Sequence, residues 1–129
     1  MTYHAAASAY RESDVLSASP ARLLMITFDY LLAQMMRAKV GIETKRPEIT
    51  LPALDKSRQA VGELMASVDP KQGGELAHRL VSLYAFVLAE LVEIGRTPDA
   101  NRLVRNTMLI KELRDAFATA GAQVHAEVA

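Results

Sequence analysis

The stretch AYRESDVLSASPARLLMITFDYLLAQMM, residues 9–36, decides how this chain folds. Its first part is thinly apolar, its middle holds a helix start, and its last part is apolar on more than one side. At Ser19-Pro20 a hydroxyl can accept an orphan backbone amide, and proline loses nothing at a first helical position where no amide bond is available. A helix therefore begins at Pro20. At about 100° per residue Leu24, Phe28, Leu31, Met35 and Ile42 share one stripe, the core face of a bundle helix. Met25, Leu32 and Met36 lie beside that stripe, with Ile26, Tyr30 and Ala33 further round. One core cannot cover so many sides, so another surface must.

After this helix comes a polar connection, GIETKRPEI at 41–49. A second helix is expected from a Thr50 cap, with Pro52 in its first turn, to about Val68, with Leu54, Val61, Leu64, Met65 and Val68 on one side. DPKQGG at 69–74 is a turn in which proline stops a helix and glycine permits positive φ. The third helix is expected from about Glu75 to Ile94, its main stripe Leu76, Leu80, Leu83, Val87, Leu91 and Ile94. Val81, Tyr84, Leu88 and Val92 widen that stripe. Gly95 is available as a left-handed C-cap, with Thr97 as N-cap and Pro98 at the first position of a fourth helix running to about Thr119. There Leu103, Leu109, Ile110, Leu113 and Phe117 share a side, with Val104 and Met108 off it.

Four such helices joined by short connections are most economically an all-α, antiparallel up-down four-helix bundle over 19–119. A leader, 1–18, precedes it and a frayed tail, 120–129, follows. The leader is too poor in large apolar groups to hold a helix alone. Tyr10, Val15 and Leu16 are its exceptions. They read either as a loosely packed terminus or as a latch over an apolar groove that a partner can displace.

Composition narrows the function. Half of the 129 residues are apolar and 5% aromatic, and the formal charge is zero. A general nucleic-acid binder would need a basic surface to displace counterions from phosphates. With no cysteine there is no disulfide, thiolate zinc site or thiol nucleophile, which fits a reducing cytoplasm. The first residues lack the pattern of an export signal, and no run reaches the ~18 apolar residues of a membrane span. A cytoplasmic protein without membrane insertion is expected, and no phosphate cradle or nucleophile elbow suggests an enzyme or a cofactor.

Three constellations remain. Glu75-x-x-His78 has the spacing of a di-iron ligand pair, but such a site needs two of these pairs and this one lies on a polar face, so no metal is expected. Ala77-His78-Arg79-Leu80 resembles the start of a histidine-phosphotransfer motif, although Val81-Ser82 stands where that family places Lys-Gly; phosphotransfer through His78 stays open as an alternative. The spare apolar face is the third. Patches of this kind commonly mark interaction sites, and the pliable methionines Met25, Met35, Met36, Met65 and Met108 suit either core filling or a helical partner. The face can be covered by another protein or by a second copy, giving a homodimer. Expected partner-binding residues are Tyr10, Val15, Leu16, Met25, Leu32, Val81, Tyr84, Leu88, Val104 and Met108.

Ordered features along nearly the whole chain resemble the flagellar secretion chaperone FliS family. They are Ala9-Tyr10, Val15, Ala18-Ser19-Pro20, Leu23 and Phe28-Asp29-Tyr30; then Glu63-Leu64-Met65, Val68-Asp69, Gly73-Gly74-Glu75, Leu80 and Leu83-Tyr84; and finally the run Ile110 to Phe117. The departures are Phe28 for tyrosine, Tyr30 for glycine and Phe117 for a common tryptophan. The resemblance implies a cytoplasmic, non-enzymatic chaperone. Such a chaperone holds the disordered C-terminal segment of flagellin, prevents premature polymerisation and aids delivery to the flagellar export gate.

Overall fold

The computed structural model describes residues 19–128, which form four helices: α1 (Pro20–Glu43), α2 (Pro47–Ala66), α3 (Pro70–Arg96) and α4 (Ala100–Val128). The expected all-α bundle is what forms, and no strand occurs among the described residues. Each helix packs mainly on two neighbours, in the ring α1, α2, α3, α4 and back to α1. The leader, with Tyr10, Val15 and Leu16, lies outside the described residues.

α1 starts where the sequence puts it. Ser19 Oγ accepts the Arg22 amide at 3.2 Å, with proline in the first turn. Its end differs, because the helix runs to Glu43 and the connection shrinks to residues 44–46. Lys45 takes a left-handed φ of 56°. Its amide donates to the Ile42 carbonyl at 3.1 Å, and the Arg46 amide to the Gly41 carbonyl at 2.8 Å. This is a Schellman closure with lysine in the usual glycine place.

α2 begins at Pro47, three residues before the expected Thr50 cap, and Pro52 lies inside it. Thr50 is a buried helical residue whose hydroxyl donates to the Arg46 carbonyl at 3.1 Å. The earlier proline sets the start because its fixed φ suits a first turn, and that start brings Thr50 against α1. A Cβ added to Gly41 would lie 2.7 Å from the Thr50 amide nitrogen, so the two backbones meet at a point only glycine allows.

α3 opens on Asp69, whose Oδ1 accepts the Lys71 amide at 3.0 Å, and then breaks at Gly74 (φ 55°, ψ −130°). The glycine-bearing turn thus works as expected, and the long helical run follows it. At the other end Gly95 stays helical and Thr97 is the C-cap of α3, so neither serves as the sequence suggested. Asp99 caps α4 instead, accepting the Arg102 amide at 3.0 Å. Its charge suits the positive end of a helix at least as well as a threonine hydroxyl does. α4 passes the expected end near Thr119 and reaches Val128. Alanine-rich sequence without proline continues a helix at little cost.

The core follows the expected stripes except at Leu76, which heads the main stripe of the third helix and is 64% exposed. Phe28, Leu31 and Met35 meet Leu54, Val61 and Leu64, then Tyr84, Val87, Leu91 and Ile94, then Leu103 and Ile110. Each fully buried large side chain contributes roughly 1.5–3 kcal/mol from area removed from water. Ile26 and Tyr30, on the extra side of α1, are also buried, Tyr30 to 6% exposure. Part of the surplus apolar surface is therefore used inside the bundle.

Candidate functional site

At the end of the bundle where the chain enters at Ser19, a cavity of about 310 Å³ opens between α1, α3, α4 and the connection that follows α2. Leu24, Val68, Leu76, Leu80, Tyr84 and Phe117 line it. The break at Gly74 lies beside this opening, which Gly73 and Leu76 on either side of it help to line. Phe117 also packs on Phe28, with ring centroids 5.8 Å apart. Tyr84, expected at a partner surface, is a core residue at 1% exposure that forms part of the cavity wall. Its burial pushes the phenol up to about 12, so it stays neutral.

Polar contacts between helices orient the bundle's sides. Arg114 Nε donates to Asp29 Oδ1 at 3.1 Å, so the flank of α1 that carries Asp29 faces α4. Met25, Leu32 and Met36 are four residues before, three after and seven after Asp29, which places them along that flank. Val104, half-buried, lies ten residues before Arg114 and about 80° round α4 from it, at the outer margin of the flank that faces α1. Met108 stands on the outward face of α4, beside the cleft rather than in it.

On α3, Glu90 meets Arg102 of α4, so that flank of the core line faces α4. Because the other neighbour of α3 is α2, the opposite flank faces α2. That flank carries Val81 and Leu88, both half-buried, and the exposed Val92. The expected binding residues thus separate into two lateral clefts on opposite sides of the ring: Met25, Leu32 and Val104 between α1 and α4, and Val81 and Leu88 between α2 and α3.

The remaining two edges are held in different ways. Between α1 and α2 the Gly41 approach removes the gap, and Tyr30 fills the seam near Glu63. Burial first, and the Glu63 charge second, raise the Tyr30 pKa. Between α3 and α4 the packing is lighter, and a polar clamp bridges the two helices. Arg102 holds both oxygens of the Glu90 carboxylate, Nε to Oε1 at 3.0 Å, and Asn106 Nδ2 donates to the same Oε1 at 3.1 Å. The hydrogen bonds from Arg102 and then Asn106 hold Glu90 down at about 2.

Sequence reasoning left Met36 and Val92 out of the binding set, although both lay beside the stripes that signal it; each is exposed. Phe86 was missed as well; it is exposed, four residues before Glu90 on the flank of α3 that turns toward α4. His78 is exposed too, and the guanidinium of neighbouring Arg79 is engaged by Glu75 at 3.0 Å. Among the described residues no group of three or more His, Cys, Asp or Glu could hold a metal ion, and no helix is long and apolar enough to cross a membrane.

A family model described as flagellar protein FliS matches residues 2–124. The chain is similar to the flagellar secretion chaperone FliS of Salmonella typhimurium, 29% identical over 107 residues that cover 82% of this chain and 79% of that protein. It is similar to the flagellar secretion chaperone FliSB of Pseudomonas aeruginosa, 29% identical over 107 residues covering 82% and 84%. Its similarity to the flagellar secretion chaperone FliS of Escherichia coli is 25% over 107 residues, covering 82% and 79%.

Proposed function

The chain belongs to the flagellar protein FliS family, and on that premise we propose that it is a cytoplasmic export chaperone that holds the disordered C-terminal segment of flagellin. FliS is a chaperone family, not an enzyme family. The observation that carries the reading is the pair of partly exposed apolar clefts on opposite sides of the bundle, where half-buried Leu32, Val104, Val81 and Leu88 stand beside exposed Met36 and Val92. A disordered segment recovers its ordering entropy only by burying a long apolar face, and amphipathic helices lying in grooves do this. One helical stretch in each cleft, joined across the bundle end, buries far more than a single groove could. Such coupled folding consumes about 2–5 kcal/mol of the gross interaction, so a small patch would not suffice. Wrapped in this way, flagellin is kept from polymerising and can be delivered to the export gate.

The cavity at the Ser19 end gives the leader a role in the same reading. Tyr10, Val15 and Leu16 supply apolar groups just upstream of that opening, and they act as a latch that the partner displaces. Deleting residues 1–18 should then speed association with the partner.

Calorimetry with a synthetic flagellin C-terminal peptide tests the function. One-to-one binding with a gain of helicity in circular dichroism is expected, and absence of binding at tens of micromolar would sink the reading. Replacing Val81, Leu88 or Val104 with glutamate should weaken binding more than folding. Equal loss of both would make these residues core rather than contact. A concentration-dependent dimer in sedimentation without peptide would instead assign the clefts to a second copy.

A further inference from the structure

We propose that the cleft between α1 and α4 is sensitive to peroxide through Met36, whose oxidation to the sulfoxide weakens partner binding. The functional half rests on the chaperone reading above; the chemical half rests on accessibility alone.

The chain has six methionines and no cysteine, so thioethers are its only sulfur available to an oxidant. The bundle sorts them sharply. Met35 is 0% exposed in the core, while its neighbour Met36 is 54% exposed. The reason is helical geometry: one residue turns the side chain by about 100°, from the core line to the flank that faces α4. Met108 is 58% exposed, but on the outward face of α4. The three residues therefore separate two properties, since Met36 is open and in the cleft, Met108 is open and outside it, and Met35 is closed.

Position adds to exposure. Met36 lies about 10 Å along α1 from Asp29, and Val104 about 15 Å along the antiparallel α4 from Arg114, so both stand toward the same end of the cleft beyond that ion pair. A partner helix laid between α1 and α4 must pass over the Met36 thioether. The sulfur attacks one peroxide oxygen: the O–O bond breaks, an S–O bond forms, sulfur loses two electrons, and hydrogen peroxide leaves as water. The product is a polar acceptor in a wall that binds through apolar contact, and covering it would strip its hydration without supplying a donor. Methionine sulfoxide reductase returns the thioether, which makes the change reversible.

The test treats the full-length protein with hydrogen peroxide and follows each methionine by peptide mass spectrometry, with fragment ions separating Met35 from Met36. Met36 and Met108 should oxidise at least about tenfold faster than Met35. The oxidised protein should bind the flagellin C-terminal peptide about tenfold more weakly, and reductase treatment should restore it. In a Met25→Leu background, which removes the half-buried thioether on the same flank, Met36→Leu, which keeps the volume, should retain affinity after peroxide, whereas Met108→Leu should not protect. Equal rates at Met35 and Met36 with an unchanged circular dichroism spectrum would overturn the chemical half. Unchanged affinity after full Met36 oxidation, or protection by Met108→Leu alone, would overturn the functional half. If untreated protein fails to bind the peptide, the chaperone reading falls and takes the functional half with it, while the oxidation rates still decide the chemistry.

Discussion

The α1–α2 edge and the α3–α4 edge lie on opposite sides of the ring and are held by opposite means. The first is shut by shape: Gly41 lets the Thr50 backbone come close, and Tyr30 fills the seam. The second is more lightly packed and is bridged by charge, with Glu90 held by Arg102 and Asn106. Packing of the first kind uses apolar surface and tolerates no added volume. A polar clamp uses few apolar groups and depends on protonation. Part of the surplus apolar surface lies along the two remaining edges, where Leu32 and Val104 border one cleft and Val81 and Leu88 the other.

The largest effect should come from the shape-sealed edge. Tyr30→Ala should cost about 3 kcal/mol or more in denaturant unfolding, the scale of emptying an aromatic site in a core. A cost well below 1 kcal/mol would mean the seam collapses without it. Gly41→Ala should destabilise by about 1–3 kcal/mol, because the new Cβ forces the helices apart and outweighs the helix propensity gained. A stabilised variant would show that the backbones are not locked together there.

At the charge-bridged edge the effect should be smaller and dependent on pH. The folded pKa of Glu90, about 2, lies below its ordinary 4.5. Its stabilisation is therefore complete above about pH 4.5 and is lost as pH falls toward 2. Glu90→Gln should flatten the dependence of the unfolding midpoint on pH in that window and leave the dependence above pH 5 unchanged. The smallest effect should be a gain. Gly62 lies exposed within α2 with nothing within 4 Å of an added Cβ, so Gly62→Ala should stabilise by about 0.5–1 kcal/mol. The opposite signs at Gly41 and Gly62 would separate a glycine needed for close approach from one that is merely tolerated.

Much of this was legible in the sequence because the signals were local. Ser19-Pro20 fixed the start of α1, the stripes named most of the core, and Gly74 carried the positive φ that its turn requires. Where two local signals competed, the wrong one was favoured: Thr50-x-Pro52 over Pro47, and Thr97-Pro98 over Asp99. The candidate site was less legible, for a different reason. Periodicity tells which side of a helix is apolar, but not which neighbour covers it. Ile26 and Tyr30 looked spare and are buried, Tyr84 looked available and is core, and Met108 lies off the cleft that its neighbour Val104 borders. Only the contacts Asp29–Arg114 and Glu90–Arg102, 85 and 12 residues apart in sequence, orient the flanks.

The most direct test of the two clefts is methyl NMR of the full chain titrated with the flagellin C-terminal peptide. At one peptide per chain, the methyl signals of Leu32, Met36 and Val104 on one side and of Val81, Leu88 and Val92 on the other are expected to shift together, with Met108 and the buried Met35 moving least. Shifts confined to one cleft, or centred on the α1–α2 or α3–α4 edge, would contradict it.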